Sequence, residues 1–273
     1  SDGAGNDSNV TRTVNVGMAT THTVQGASNL QMIWVEPGTF TMGSPTSEAG
    51  RGTNETEHNV TLTKGFYLGK YEVTQAQYET VMNGNSEGLN AKPSQWPNND
   101  DRPVEMVSWE DAQVFLSRLN STEQTAGRLP NGWKYVLPTE AQREYACRAG
   151  TTTAYSWGAT IASSNANYNW DGTGTTGSDF KQTRDIGQYA ANPWGFFDMH
   201  GNVWEWCDDW FTARHESDEP VRDPKGSLMG LDRVVKGGSY LCHDSYCNRY
   251  RLGARMGLLP DSSLGHQGVR IAR

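Results

Sequence analysis

Two cysteines five positions apart, Cys242 and Cys247, are the residues of this 273-residue chain whose type and spacing most directly indicate chemistry. They lie in the polar stretch GGSYLCHDSYCNRYR, and the only other cysteines are Cys147 and Cys207. A close pair of cysteines can form a disulfide, hold a soft metal ion through two thiolates, or act as redox or nucleophilic thiols. Spacing alone leaves these three alternatives open.

A structural zinc site is poorly supported by the sequence. Zinc sites usually combine one C-x2-4-C pair with a second Cys or His pair, and the sequence has no such second pair. Two thiolates on a short loop suit Cu(I), which accepts few ligands. A nucleophilic thiol needs surroundings that lower its pKa, and His243 and Arg249 are close to the pair in sequence.

The charge and the distribution of apolar residues exclude several kinds of partner. The formal net charge is −8, and the sequence has no basic cluster of the kind that nucleic acids or anionic membranes attract. No run approaches the roughly 20 apolar residues that span a bilayer. We therefore expect no nucleic-acid partner and no membrane span, and a soluble protein that is either cytoplasmic or exported with its signal removed.

Short strands and three helices are the elements that must position the cysteines. QMIWVEPGTFTMGS contains two β-rich runs broken at Pro37 and Gly38, which is a hairpin-like pattern. HNVTLTKGFYLGKYEV has the same pattern of β-rich runs around glycine turns. Capping boxes that begin at Thr74, Ser108 and Thr139 predict three helices. Helical periodicity ends near residue 150, after which DRVVKGGSYL and QGVRIAR predict strands.

These patterns predict one α+β domain over residues 29–273, with short antiparallel sheets, few helices and much irregular coil. Residues 1–28 are polar and are predicted to form a flexible leader. The 10 tryptophans and 11 tyrosines supply enough apolar area for a compact fold whose aromatic side chains pack between loops.

Six blocks, in order along the chain, closely resemble formylglycine-generating enzymes, the sulfatase-modifying factors. They are VEPGTFTMGS, YLGKYEVTQAQYETVM, RPVEMVSWEDAQVFLSRLN, LPTEAQREYACRAG, FFDMHGNVWEWCDDWF and RVVKGGSYLCHDSYCNRYRLGAR. The resemblance covers about residues 30–273 and implies that family's C-type-lectin-like fold. The C-x4-C pair is its most specific part, because non-catalytic relatives generally lack it.

The resemblance implies a copper-dependent oxidase. In the family, two cysteines that match Cys242 and Cys247 bind Cu(I), and the enzyme uses O₂ to convert a cysteine of an unfolded sulfatase-type peptide, within Cys-x-Pro-x-Arg, to Cα-formylglycine. Ser239 matches a serine beside the oxygen pocket, and Trp204 matches a tryptophan that shields it. We expect a monomer. Three residues that flank the thiols or border the substrate groove are expected to contact the peptide: Tyr246, His243 and His266.

The resemblance also implies structural calcium, which would order loops that lack a core of their own. One site would use the side chains of Asp198 and Glu205 and the carbonyls of Gly201 and Val203. A second site would be built from three residues in or beside the stretch without periodicity: Asn167, Tyr168 and Asp179.

The sequence departs from the family at several positions. The usual EWEYA reads QREYA, with Gln142 and Arg143, and the stretch that follows Arg255 differs where it borders the substrate groove. Leu252 and Ile271 stand where animal members carry disulfide cysteines. The two remaining cysteines, Cys147 and Cys207, are therefore expected to be buried free thiols with raised pKa values.

Two other functions are weighed against the oxidase. A non-catalytic, C-type-lectin-like binding protein could use the same scaffold but would have no use for two thiols at the copper positions. An iron-dependent sulfur oxidase would need three histidines, in part from an H-x3-H-x-E pattern that the six histidines of this chain do not form.

Overall fold

Ten short strands and three α-helices make up the regular structure of the part of the chain that the computed structural model describes, residues 21–168, 180–215, 220–243 and 246–273. The strands are β1 (Thr21–Val24), β2 (Leu30–Val35), β3 (Gly38–Met42), β4 (His58–Leu62), β5 (Phe66–Gly69), β6 (Trp204–Trp210), β7 (Val221–Arg222), β8 (Arg233–Lys236), β9 (Met256–Leu258) and β10 (Gln267–Gly268). The helices are α1 (Gln75–Met82), α2 (Trp109–Thr125) and α3 (Glu140–Arg148). This composition confirms the predicted α+β fold.

The three helices begin where the capping boxes predict. The side-chain oxygens of Thr74, Ser108 and Thr139 each accept the backbone N–H three residues on, which satisfies a donor that the first turn leaves without a partner. Helix α3 ends at Arg148, after which Ala149 and Gly150 have φ values of 48° and 87°. No helix in the described ranges is both long enough and apolar enough to cross a membrane.

Three small sheets hold the strands. Their orders are β1-β2-β5, β3-β4-β7 and β10-β6-β8-β9. Most neighbours are antiparallel, but β10 runs parallel to β6 and β7 runs parallel to β4. Each parallel pair joins segments far apart in sequence, so these pairs close the domain.

The predicted hairpin across Pro37 and Gly38 is wrong. Both edges of β2 are occupied, by β1 and β5, while β3 pairs with β4 in another sheet. The chain crosses from one sheet to the next at this point. A Cβ on Gly38 would collide with the hydroxyl of Tyr145 from α3. The glycine is therefore needed to let the Tyr145 side chain pack against the backbone, and not to form a hairpin turn.

The predicted leader is also too long. Residues 21–28 contain β1, which pairs with β2 from Thr21 opposite Ile33 to Val24 opposite Leu30, and a short 3₁₀ helix. Val24 and Ala27 are fully buried, so this segment belongs to the core. Polar composition masked it in the sequence, because only alternate residues of an edge strand need to be apolar.

Two groups of buried side chains form the core. The larger one includes residues of α1 and α2, where Tyr78 and Phe115 stack at 5.3 Å, and continues to Trp204 and Cys242. The smaller one includes residues of β2, β4 and β5 and Cys147 of α3. The candidate site residues therefore lie at the margin of the larger core.

Candidate active site

A turn of two glycines after β8 starts the loop that carries the cysteine pair. Gly237 and Gly238 have φ values of 94° and 70°, which L-residues rarely adopt. A Cβ on Gly238 would lie 2.9 Å from the backbone nitrogen of Tyr250, and the Gly237 carbonyl accepts the Gly201 N–H at 2.7 Å. The glycines therefore let the loop pack directly on neighbouring backbone.

The two cysteines are bonded to each other in this structure. Cys242 and Cys247 form a disulfide with their Cα atoms 5.1 Å apart. The carbonyl of His243 accepts the N–H groups of Tyr246, Cys247 and Asn248 at 3.2, 2.8 and 3.1 Å, which bends the loop back on itself. The expected approach of the two sulfurs is confirmed, and hydrogen bonds of the loop itself produce it.

The loop spans the boundary between core and surface. Cys242 is buried within the larger core, and Cys247 is half-buried against it. Tyr246 is 63% exposed, and its hydroxyl donates to the Leu241 carbonyl. An incoming ligand would meet Tyr246 and the Cys247 side of the pair first.

A groove lies beside the pair, as the sequence predicts. Its volume is about 590 Å³, which is within the range of ligand sites. His243 and Asn248, which flank the cysteines, line it together with Glu48 and Tyr155. The side chain of Arg251 stabilises one wall of the groove through two ion pairs. It pairs with Glu48, and its Nη2 lies 2.7 Å from Glu55 Oε1.

Backbone pairing brings Trp204, Ser239 and His266 to the same region. The Trp204 N–H donates to the His266 carbonyl at 2.8 Å, and the Tyr240 N–H donates to the Asn202 carbonyl at 2.9 Å. Trp204 and Ser239 are buried, while His266 is half-buried with its Nδ1 enclosed and without a hydrogen-bond partner among the described residues. Burial lowers the pKa of His266.

Trp96 is a neighbour of the site that the sequence did not reveal. Its Nε1–H donates to the Tyr240 hydroxyl at 3.1 Å, and the Trp96 N–H donates to the buried carboxylate of Glu105 at 2.9 Å. Tyr240 directly follows Ser239, so Trp96 supports the start of the cysteine loop. The only local signal was an aromatic residue between Pro93 and Pro97, which does not distinguish a site residue from an ordinary loop.

Glu205 lies in a buried ionic cluster behind Trp204. Arg143 donates to Glu205 Oε2 at 2.9 Å, and Arg270 donates to both carboxylate oxygens at 2.9 and 2.8 Å. Burial alone would raise the pKa of Glu205, but Arg143 and Arg270 outweigh it and lower that pKa below its usual value.

The first calcium set stays a prediction, and its two carboxylates have other partners in this structure. Two guanidinium groups surround Glu205, while the buried carboxylates of Glu72 and Asp198 are close enough to interact with it. Asp198 Oδ2 accepts the Gly187 N–H at 2.6 Å, and burial raises the pKa of Asp198 to about 6. Nowhere in the described ranges do three or more His, Cys, Asp or Glu side chains form a group that could hold a metal ion.

The structure describes two of the three residues of the second calcium set. Asn167 is buried, and its Nδ2 donates to the Gln182 carbonyl and to Asn202 Oδ1 at 3.0 and 3.1 Å. Its Oδ1 has no hydrogen-bond partner among the described residues, which is the feature expected of an oxygen that serves a further ligand. Tyr168 follows it in the core, and Asp179 lies outside the described residues.

The two other cysteines are free and buried, as predicted. Burial raises the pKa of Cys207 well above its usual value, which is also as predicted. The prediction is wrong for Cys147: burial acts to raise its pKa, but His200 and Arg143 outweigh burial and lower it. His200 is distant in sequence, so no local pattern marked this contact.

Comparisons with known proteins agree with the fold. Residues 18–273 match the family model described as sulfatase-modifying factor enzyme 1-like domain. The chain is 33% identical to the formylglycine-generating enzyme of Mus musculus, over 89% of this chain and 74% of that protein. It is 40% identical to the formylglycine-generating enzyme of Streptomyces coelicolor, over 62% of this chain and 52% of that protein. The structure of PvdO from Pseudomonas aeruginosa superposes with a TM-score of 0.77 at 22% identity, covering 94% of this chain and 98% of PvdO, and shares the fold.

Proposed function

The chain belongs to the family of sulfatase-modifying factor enzyme 1-like domains, and we propose that it is a formylglycine-generating oxidase. Its substrate is a cysteine within a sulfatase-type Cys-x-Pro-x-Arg peptide, its oxidant is O₂ and its metal is Cu(I). The thiol carbon becomes the aldehyde of Cα-formylglycine, and the sulfur leaves as hydrogen sulfide. One oxygen atom enters the aldehyde, and the other is reduced to water by two electrons from a thiol reductant.

The observation that carries this proposal is the approach of Cys242 and Cys247 beside a groove. Their Cα atoms are 5.1 Å apart, and the groove of about 590 Å³ begins at His243 and Asn248. A binding protein without catalysis gains nothing from two thiols at the entrance of its site. Reduction of the disulfide would free both sulfurs, with the half-buried Cys247 on the side that a peptide would meet first.

The residues present fit Cu(I). Two thiolates from one short loop are the soft ligands that this ion favours, and they leave it able to accept further sulfur. Bound there, Cu(I) would supply an electron-rich centre that accepts the substrate sulfur and reacts with O₂. The His243 carbonyl, by accepting three N–H groups, keeps the two cysteines together after reduction.

Ser239 and Trp204 support the chemistry from the core side. The Ser239 hydroxyl accepts the Leu241 N–H at 3.2 Å, and an accepting hydroxyl can still donate its own hydrogen to a reacting oxygen. Trp204 is 3% exposed and belongs to the same core group as Cys242, where its bulk excludes water.

The groove suits an extended basic peptide. His243 stands at its cysteine end, with its ring 5.9 Å from that of the exposed Tyr246, and Glu48 contributes a carboxylate to its wall. The net charge of −8 favours the approach of a peptide that contains arginine. We assign Tyr246, His243 and His266 to peptide binding.

Turnover of a defined peptide tests the proposal. The full chain, reduced and loaded with Cu(I), is incubated with O₂, a thiol reductant and a Cys-x-Pro-x-Arg peptide, and mass spectrometry follows the change from thiol to aldehyde. Cys242→Ser and Cys247→Ser should abolish conversion, whereas Cys207→Ser, which changes a free cysteine outside the pair, should retain it. Peptide binding without conversion by the copper-loaded chain would overturn the oxidase in favour of a binding protein.

A structural calcium ion at Asn167 and Tyr168 is part of the proposal. The enclosed Oδ1 of Asn167 supports it, since calcium takes amide and carbonyl oxygens as ligands. Calcium should raise the melting temperature of the native chain, and Asn167→Ala should remove that increase. Equal increases in both proteins would contradict the site.

A further inference from the structure

Cys147 and His200 form a second sulfur-containing pair, away from the disulfide. Cys147 Sγ lies 3.6 Å from His200 Nε2, and the two residues are 2% and 3% exposed. Cys147 belongs to α3, and His200 lies in the segment that leads to β6. The proposed oxidation does not use either side chain.

The hydrogen bonds of His200 determine which of its two ring nitrogens carries the hydrogen and which one has a free lone pair. Nδ1 lies 2.6 Å from the Tyr250 carbonyl, and a carbonyl can only accept, so Nδ1 carries the hydrogen. In the neutral ring, Nε2 is therefore the acceptor. It faces Cys147 Sγ and the Ser156 hydroxyl, 3.1 Å away, and the Ser156 N–H donates to it at 3.4 Å. Histidines that bind metals show the same pattern, with the other ring N–H donated to a carbonyl or carboxylate.

The number of ligands indicates which metal such a pair could hold. In the described part of the chain no three His, Cys, Asp or Glu side chains gather at a possible metal site, so zinc, which needs at least three protein ligands, is excluded from this pair. One thiolate and one imidazole are sufficient for a soft monovalent ion that accepts two ligands.

An ion can approach the pair through a small cavity beside the imidazole. The cavity has a volume of about 10 Å³, close to that of a single water. Its lining includes His200 and Ser156 together with Trp157 and Ala190, which are exposed. The cavity therefore lies between exposed side chains and the imidazole of the pair.

From this geometry we infer that Cys147 and His200 form a binding site for a soft monovalent metal ion, Cu(I) or Ag(I), distinct from the Cys242–Cys247 pair. The ion binds between Cys147 Sγ and His200 Nε2. The Cys147 thiol releases its proton to solvent when the ion binds, and no electron is transferred. The site does not depend on the proposed oxidase activity.

A copper titration in a chain without the loop cysteines tests this site. The probe is Cu(I), kept reduced under anaerobic conditions and competed against the coloured chelator bathocuproine disulfonate. The full chain carrying both Cys242→Ser and Cys247→Ser should retain about one equivalent of Cu(I). Adding Cys147→Ala or His200→Gln should weaken that binding at least tenfold.

Cys207→Ala is the matched control, because Cys207, in β6, is the other free and buried cysteine. It should leave the retained equivalent unchanged. Melting curves without metal check that each variant folds, and X-ray absorption of the Cu(I)-loaded double-serine chain should show one sulfur and one nitrogen neighbour. This last measurement needs no further mutation.

Two results would overturn the inference. The first is that the chain with Cys242→Ser and Cys247→Ser binds no Cu(I). The second is that binding persists in both Cys147→Ala and His200→Gln. Neither result bears on conversion of the peptide by the intact chain, so the proposed function is tested separately.

Discussion

Arg143 of α3 and Glu205 of β6 lie side by side in the core, with Arg143 Nε 2.9 Å from Glu205 Oε2 and both side chains almost fully buried. Arg143 stands where the family usually has tryptophan, so the departure seen in the sequence brings a second cation to a carboxylate that Arg270 already holds. The pair connects α3 to the strand that begins with Trp204.

Replacing Arg143 by Met should destabilise the fold by about 3 kcal/mol, because loss of one partner leaves buried charge less well compensated. The hydrogen bond from Arg143 to the Met199 carbonyl is lost as well. Urea unfolding measures the change. Lys92→Met is the control, since its pair with Glu79 is on the surface and should contribute nothing measurable. Equal losses in the two variants would contradict the prediction.

Asp209 should make the protein less stable as the pH rises. Burial and the neighbouring Glu140 raise the pKa of Asp209 to about 7. Between its unfolded value of about 3.9 and this folded value, the folded state binds more protons than the unfolded state, so the free energy of unfolding falls as the pH rises through that window. The total loss is on the order of 4 kcal/mol.

Asp209→Asn should flatten this dependence, because the amide oxygen can still accept the Glu140 N–H that now bonds Oδ2. Urea unfolding at about pH 5 and about pH 8 measures the difference. Asp261→Asn, at an exposed position, serves as the control and should keep the slope of the native chain. An unchanged slope in Asp209→Asn would show that other groups cause it.

The two buried cysteines should respond differently to replacement by serine. In the native structure Cys147 Sγ lies 3.6 Å from the Met199 carbonyl oxygen and 3.6 Å from His200 Nε2. A serine hydroxyl at this position would therefore have hydrogen-bond partners nearby. Cys147→Ser should therefore cost less than about 1 kcal/mol, whereas Cys207→Ser should cost about 1 to 3 kcal/mol through an unsatisfied hydroxyl. Chemical denaturation of both variants measures the two costs, and the reverse order would refute the assignment.

Gly238→Ala should distort the start of the cysteine loop. The φ of 70° and the approach of 2.9 Å to Tyr250 N together should cost about 3 kcal/mol or more. Gly132 has a φ of 82° but open space around it, so Gly132→Ala isolates the backbone strain and should cost about 1 kcal/mol. Thermal melts compare the two. Similar costs would mean that the contact with Tyr250 is easily relieved.

His266→Ala should raise the KM for the peptide several-fold while leaving kcat and the melting temperature nearly unchanged. The link between His266 and Trp204 uses the backbone carbonyl, and the enclosed Nδ1 has no described hydrogen-bond partner to lose. Steady-state kinetics with the Cys-x-Pro-x-Arg peptide separate the two constants. A lower kcat with unchanged KM would place His266 in the chemistry and not in peptide binding.

The features that the sequence predicts best depend on neighbours along the chain. Thr74, Ser108 and Thr139 cap their helices through residues three positions away, and Cys242 reaches Cys247 through one turn. Such contacts form over a few residues, so residue type and spacing are enough to indicate them. The hairpin at Pro37 failed because a turn signal cannot say which strand is the partner.

By itself, then, the sequence determined the family, the helix starts and the nearness of the two thiols. Only the tertiary structure decided that Arg143 reaches Glu205, that His200 reaches Cys147, and that the His266 carbonyl receives the Trp204 amide. Each of these contacts joins segments more than 50 positions apart in sequence. Their charges and lone pairs meet only after the sheets and helices have packed, because burial and distance set the energy of an ionic or hydrogen-bonded contact and sequence spacing does not.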